Sequence, residues 1–258
     1  MSDQPASNRR LLTPPAPHRP RSRTTQPLRS VASASQRVWL FDLDNTLHDC
    51  SAGIFNAIDQ NMTEAVMEAL QVDMGEAHRL RVKYWQRYGA TVIGLVRHHG
   101  VDANIFLERS HRFDPAPLVH SERGLARKLL ALKGRKILLT NAPLNYARAV
   151  LKVLGILQQF EGLWSVDHMA LQGRIRPKPS KALMRQVLAR IGQPAHNVVL
   201  VEDTLKNLKA ARELGMKTVH VFHPGTPFSG LHAGRSAYVD LRVNSIGQLL
   251  TGRHIFRD

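Results

Sequence analysis

Val38-Trp39-Leu40-Phe41-Asp42-Leu43-Asp44-Asn45-Thr46-Leu47 is the stretch on which the reading of this chain turns. Four apolar residues run straight into two aspartates spaced two apart. A short, continuous apolar run reads as a strand buried on both faces, as in a parallel sheet. Ligands of open α/β sheets bind outside the carboxyl ends of the strands, which is where Asp42 and Asp44 fall. Two positions apart along extended chain, their side chains lean to the same side. The same texture recurs downstream. Ile137-Leu138-Leu139 runs into Thr140-Asn141, and Val198-Val199-Leu200-Val201 runs into Glu202-Asp203. Further strands are expected at Thr218–Phe222, leading into a Pro224-Gly225 turn, and at Ala237–Leu241, before a short last helix around Ile246 to Leu250. Apolar residues at helical spacing over 122–132, 144–154 and 180–191 alternate with these strands, the last two segments ending at Gly155 and Gly192. Alternating strands and helices predict an α/β core with right-handed crossovers.

Between Cys50 and Pro117 the alternation stops. Ile54, Phe55, Ile58, Met62, Ala65, Val66, Ala69 and Leu70 share one amphipathic face, and Val92, Ile93, Leu95 and Val96 form another. This predicts an all-helical insertion at 49–116, flanked by core segments 36–48 and 117–258. Its hinges are expected at His48 to Gly53 and at Asp114-Pro115-Ala116-Pro117. Residues 1–35 hold six prolines, six serines and six arginines against one acid, Asp3, and are expected to remain a disordered basic tail. Repeated prolines argue against the amphipathic helix of a transit peptide.

The 258 residues fit one large domain with a modest insertion, and no stretch of 18 apolar residues predicts a membrane span. A single cysteine, Cys50, gives neither a disulfide nor a cysteine metal framework and fits a reducing, cytoplasmic setting. The net charge of +16 raises nucleic acid, anionic membrane or a small acidic substrate as partners. Its distribution narrows the choice. The tail holds six basic residues to one acid, the insertion seven to nine, and the remainder 23 to ten. The excess therefore lies mainly on the α/β core. No basic stripe with interleaved aromatics lies outside the tail, so no specific nucleic acid is expected, and the alternative of another class is a nucleic-acid-binding protein acting through that basic tail.

Asp42, Asp44, Glu202 and Asp203 converge on one rim with Thr140 and Lys178, the lysine set between Pro177 and Pro179 just before a helix that Ser180 can cap. Carboxylates gathered on one rim repel unless a cation neutralises them. An all-oxygen set points to a hard ion such as Mg²⁺. Singly, each residue is an ordinary cap, surface acid or solvated lysine. Their order, each following a strand-like run or opening a helix, sets the combination apart.

Phe41-Asp42-Leu43-Asp44-Asn45-Thr46-Leu47, Thr140-Asn141, Lys178 and Glu202-Asp203 resemble the four motifs of the haloacid dehalogenase superfamily, over about residues 37 to 250. The resemblance implies a Rossmann-like parallel-sheet core with an inserted all-helical (C1-type) cap. The presence of Asp44 is similar to the superfamily's phosphatases, since its dehalogenases lack that second aspartate. Tyr84-Trp85-Gln86-Arg87-Tyr88-Gly89, Gly94-Leu95, His98-His99-Gly100 and Glu202-Asp203-Thr204 with Lys206-Asn207 further resemble the pyrimidine 5'-nucleotidase branch, although many of its members carry aspartate where Glu202 stands. Phosphoglycolate and sugar-phosphate phosphatases share the core.

On this resemblance Asp42 is expected to attack phosphorus as nucleophile, and Asp44 to act as general acid and then base. Mg²⁺ is expected on Asp42, Asp203 and the Asp44 carbonyl, with Glu202 assisting directly or through water. Thr140 and backbone N–H groups near Asn141 are expected to bind phosphate oxygens, and Lys178 to offset charge. Thr46 is expected to orient Asp44 by a hydrogen bond, and Asn207 to support the site from behind. A nucleoside monophosphate is the expected partner, with Tyr84, Trp85 and Tyr88 weighed as base-stacking residues against simple packing. Adjacent His98 and His99 face different ways on a helix and supply no metal set.

Overall fold

The computed structural model describes residues 36–50, 53–222, 237–252 and 256. Tail residues 1–35, the Pro224-Gly225 turn and part of the first expected hinge lie outside them.

β1 (Val38–Phe41) is buried along its whole length. Four helices follow: α1 (Ile54–Leu70), α2 (Met74–Tyr88), α3 (Thr91–His99) and α4 (Ala103–Ser110). Then come α5 (Leu125–Ala131), β2 (Arg135–Leu139), α6 (Leu144–Val153) and β3 (Gly162–Trp164). A small antiparallel pair, β4 (Ala170–Leu171) and β5 (Arg174–Ile175), precedes α7 (Lys181–Ile191). β6 (Val198–Glu202), α8 (Leu205–Arg212), β7 (Lys217–Val221), β8 (Leu241–Val243) and α9 (Ile246–Thr251) complete the described chain.

The described strands form a six-stranded sheet in the order β3-β2-β1-β6-β7-β8, parallel at every pairing. The chain winds outward from β1 through β2 to β3, then returns to the other side of β1 and winds through β6, β7 and β8. The reversal falls between β1 and β6. Side-chain alternation divides the core. Trp39 and Phe41 face α5, α6 and α9, whereas Val38 and Leu40 face α7 and α8. This is a Rossmann-like α/β core with helices on both faces.

α1 to α4 form an all-helical cap with a core of its own, built on Val66, Leu80, Tyr84, Val92, Leu95 and Phe106. Local chemistry sets their ends. Asp73 accepts from the Glu76 N–H to cap α2, and Asp102 accepts from Asn104 and Ile105 to cap α4. Gly94 is what lets α2 and α3 close on each other. A Cβ there would lie 2.1 Å from Cγ of Tyr84.

Two expectations shift. The strand expected at Ala237–Leu241 is a turn, and β8 begins only at Leu241, where pairing of Leu241 with Val219 and Val243 with Val221 seats Val243 in the core. β3, β4 and β5 were not expected. No helix of the described residues is long and apolar enough to cross a membrane.

Candidate active site

The reversal between β1 and β6 sets Asp42 beside Glu202 and Asp203. The Asp42 N–H donates to the Val201 carbonyl at 3.0 Å, extending the β1–β6 ladder by one rung and fixing where its carboxylate begins. The chain then turns sharply: Leu43 and Leu47 are buried, Thr46 and Leu47 donate back to the Leu43 carbonyl, and Asn45 takes a left-handed conformation (φ 55°). Asparagine tolerates that conformation better than most residues. Its side-chain oxygen accepts from the Cys50 N–H at 3.1 Å and closes the turn.

Lys178 stands at the centre. It is 2% exposed, and its Nζ donates at 2.7 Å to Asp42 Oδ1 and at 2.7 Å to Glu202 Oε2. Ser180 caps α7, as expected, accepting from the Leu183 N–H at 3.3 Å. Asn141 plays a part the sequence reading missed. Its side chain donates to the Lys178 carbonyl (3.0 Å) and accepts from the Lys178 N–H (2.9 Å), a two-point clamp joining the end of β2 to the lysine loop. Thr140 Oγ1 accepts from the Ala142 N–H at 3.0 Å, which leaves its own hydroxyl hydrogen to donate.

Glu202 is wholly buried and well supplied with donors. Besides Lys178, Asn207 Nδ2 reaches Oε2 at 3.0 Å and the Thr204 N–H reaches Oε1 at 3.1 Å. Asn207 thus supports the site from behind, as expected. Asp42, Glu202 and Asp203 each offer an oxygen, all within 4.8 Å of one another. When ionised they set three negative charges against the single ammonium of Lys178. Burial, then the charge of Glu202, pushes Asp42 up to about 8. Burial likewise pushes Asp203 up to about 6 and raises Glu202. Lys178 is shifted in the opposite sense to a lone buried amine: burial acts to lower it, but Asp42 and Glu202 outweigh that and raise it. The excess of two negative charges and the all-oxygen donor set fit a hard divalent cation such as Mg²⁺. Because Glu202 already carries protein donors on both oxygens, Asp42 and Asp203 offer the freer oxygens for such a cation.

Asp44 has different company. Its Oδ1 accepts from the Tyr146 hydroxyl at 2.8 Å and is met by His48 Nε2 at 3.2 Å and Cys50 Sγ at 3.3 Å. Burial pushes this carboxyl up, but His48, Tyr146 and Cys50 together outweigh burial and hold it below the usual range. Here the structure corrects the sequence reading. Thr46 does not orient Asp44, for its hydroxyl is buried without a hydrogen-bond partner among the described residues, and Asp44 is met by His48, Cys50 and Tyr146 instead. The Cys50 thiol is pushed up by burial first and by Asp44 next, which keeps it a neutral thiol. It lies 3.7 and 3.6 Å from the two ring nitrogens of His48. Asp44, His48 and Cys50 also offer an oxygen, a nitrogen and a sulfur within 4.8 Å of one another, but with the thiol neutral and the three hydrogen-bonded among themselves they suit a hard cation less well than Asp42, Glu202 and Asp203.

In the cap, Tyr84 is buried, its hydroxyl 2.7 Å from His99 Nε2, while the Tyr88 hydroxyl lies 2.6 Å from His98 Nε2. Tyr84 is therefore packing, not a stacking surface. Gly89, which ends α2, stands over the lysine loop: a Cβ on it would lie 3.5 Å from Pro179 Cδ and 3.7 Å from the Lys178 carbonyl.

Comparison with known proteins agrees with this geometry. A family model described as haloacid dehalogenase-like hydrolase matches residues 37–215. Phosphate metabolism protein 8 of Saccharomyces cerevisiae is 27% identical over 205 residues, which cover 73% of this chain and 62% of the yeast protein, so the chain spans less than two thirds of that relative. Phosphoglycolate phosphatase of Pectobacterium atrosepticum is 30% identical over 192 residues, covering 69% of this chain and 77% of that protein. Among solved structures, CbbY from Rhodobacter sphaeroides in complex with phosphate shares the fold with a TM-score of 0.59 at 20% identity, covering 83% of this chain and 96% of that one.

Proposed function

We propose, from the premise that the chain belongs to the haloacid dehalogenase-like hydrolase family, that it is a Mg²⁺-dependent phosphomonoester hydrolase working through an aspartyl-phosphate, with pyrimidine nucleoside monophosphates as substrates and residues 49–116 as its cap. The observation that carries this reading is Asp42 at the sheet's switch point, bridged through Lys178 to Glu202 with both contacts at 2.7 Å.

Asp42 attacks phosphorus as the bond to the leaving oxygen breaks, and Asp44 gives that oxygen a proton. Water then attacks phosphorus as its bond to Asp42 breaks, giving back the Asp42 carboxylate and releasing inorganic phosphate, while Asp44 takes a proton from that water. Splitting one displacement into two and placing an acid–base group beside both is the gain, the second part alone being worth roughly 10²–10⁴ in rate. Lys178 and the Thr140 hydroxyl receive charge on the phosphate oxygens, and Asn141 holds the Lys178 backbone to that task. Mg²⁺, when bound, supplies further neutralising charge at Asp42, Asp203 and the phosphate.

Support for a nucleotide comes from the Tyr84–Gly100 segment, whose resemblance is to nucleotidases and whose Gly89 turn lies against the lysine loop. A second reading, hydrolysis of phosphoglycolate, is favoured by the 30% identity to a protein of that name. One screen separates them: phosphate release from UMP, CMP, AMP, phosphoglycolate and sugar phosphates, with Asp42→Asn as the blank. Preference for UMP or CMP is expected, and a strong preference for phosphoglycolate or a sugar phosphate overturns the nucleotide assignment. Loss of turnover in EDTA and its return with Mg²⁺ is expected; indifference to chelation defeats the metal.

A further inference from the structure

Tyr146 lies 102 positions from Asp44 in sequence, yet its hydroxyl donates to Asp44 Oδ1 at 2.8 Å. His48 and Cys50 approach the same oxygen, and among the described residues no donor reaches Oδ2. One oxygen is loaded and the other free, while the side chain keeps 23% of its surface exposed. A carboxylate held in that way cannot spin about its last bond without breaking three contacts at once. Tyr146 itself has little freedom. It lies near the start of α6, it is 4% exposed, and its ring packs 5.2 Å from His111 and 5.8 Å from Phe113 between centroids. Both of those residues follow the last cap helix. One side chain thus touches Asp44 with its hydroxyl and the cap's return segment with its ring.

We propose that Tyr146 is the positioning residue for Asp44: its hydroxyl fixes Oδ1 so that Oδ2 faces the leaving group, and its ring ties that alignment to the seating of the cap. The proposal rests on the reading of Asp44 as acid and base. Burial, then the charge of Asp44, raises the phenol well above its usual range, so it remains a donor throughout.

The chemistry of the leaving group supplies the test. An alkoxide leaves poorly and needs the proton from Asp44, whereas p-nitrophenolate leaves well without one. Turnover of UMP, or of phosphoglycolate if that alkyl ester is the better substrate, is compared with turnover of p-nitrophenyl phosphate for wild type, Tyr146→Phe and Asp44→Asn. The ratio of the two kcat values is the readout, and it cancels any difference in folded fraction. Tyr146→Phe is expected to lower the alkyl-to-aryl ratio at least about tenfold with KM for the alkyl ester little changed, and Asp44→Asn to lower it further, within the 10²–10⁴ of general acid catalysis. A ratio that falls in Asp44→Asn but stays at the wild-type value in Tyr146→Phe overturns the proposal and leaves the acid–base reading standing. A ratio unchanged in Asp44→Asn overturns both.

Discussion

Replacing Lys178 by methionine removes the ammonium from the centre of the site while keeping an unbranched apolar stem of similar reach. In the wild type that ammonium, 2% exposed, offsets Asp42 and Glu202 at 2.7 Å each. Without it two buried carboxylates face each other and Asp203. Taking one partner from a buried ionic group costs about 3–5 kcal/mol, because the charges left behind have lost their water as well as their counterion. Against a typical total of about 5–15 kcal/mol, that is a large fraction of the stability. The cost must depend on pH. Asp42 sits at about 8 even with Lys178 present, and losing the lysine moves it higher. The unfolded chain holds that proton only below about 3.9. Wild type shares that Asp42 slope, so the difference between the two proteins comes from Glu202: Lys178 acts to lower it in the wild type, loss of the lysine lets Glu202 keep a proton to higher pH, and the penalty therefore shrinks as pH falls. Urea unfolding followed by circular dichroism in EDTA is the assay. The expected result is a penalty of about 3–5 kcal/mol at pH 8 that shrinks markedly at pH 5. Adding Glu202→Leu should recover most of the loss at pH 8 without recovering phosphate release, since the second charge is gone but so is the bridge. A Lys178→Met protein within about 0.5 kcal/mol of wild type at pH 8 refutes the reasoning, as does a penalty that neither acid nor Glu202→Leu relieves.

The wild-type protein should show the same physics more gently. Stripped of metal, it is expected to lose stability between pH 6.5 and 8 at up to about 1.4 kcal/mol per pH unit, because Asp42 at about 8 keeps a proton that the unfolded chain has released. Saturating Mg²⁺ should flatten that slope in a thermal-shift series, and a metal-free slope of zero would show that Asp42 is not raised. Asn141→Ala deletes both hydrogen bonds to the Lys178 backbone and should cost about 1–3 kcal/mol by urea titration, with kcat falling at nearly unchanged Mg²⁺ affinity. A kcat equal to wild type would show that the lysine loop holds its place unaided. Gly94→Ala drives a methyl group to 2.1 Å from Cγ of Tyr84 and should destabilise by about 1–3 kcal/mol, read as a lowered unfolding midpoint. An unchanged midpoint would mean that α2 and α3 separate at no cost.

What could be read from the sequence was what is buried on both sides. β1 and the inner stretches of β2 and β6 announce themselves as unbroken apolar runs because helices cover both faces of each, and the acids where β1 and β6 end are visible because each breaks such a run. The sheet margins give no such signal. Gly162-Leu163-Trp164 is an edge strand of three half-buried residues, and β4 and β5 have two residues each, too short for any period to register. β8 was placed too early because Ala237-Tyr238-Val239 is apolar enough to pass for a strand, whereas pairing with β7 selects Leu241-Arg242-Val243. Within the site the same divide holds. Asp42, Asp44, Lys178 and the Glu202-Asp203 pair stand at element ends and could be found. The partners that decide their behaviour could be found only in part. His48 and Cys50 lie in the turn that follows Asp44, and their spacing of four and six from it was there to be noticed. Tyr146 and the Asn141 clamp depend on how β1, β2 and the lysine loop meet, for which no local pattern exists.

That divide explains how two aspartates two residues apart come to behave oppositely. Leaving the same strand, Asp42 turns into a cluster of acids and is raised, while Asp44 turns toward three hydrogen-bond donors and is lowered. The hydrolysis proposed above needs the reverse: an ionised nucleophile and a protonated acid. The order is therefore completed by what binds. Cationic charge at Asp42 and Asp203 brings Asp42 down toward the ordinary carboxylate range, and a phosphate dianion brought beside Asp44 raises it by like-charge repulsion. That requirement follows from the partners each aspartate meets, not from the aspartates themselves. It is why Tyr146, which belongs to neither motif, bears as directly on Asp44 as the residues beside it in sequence.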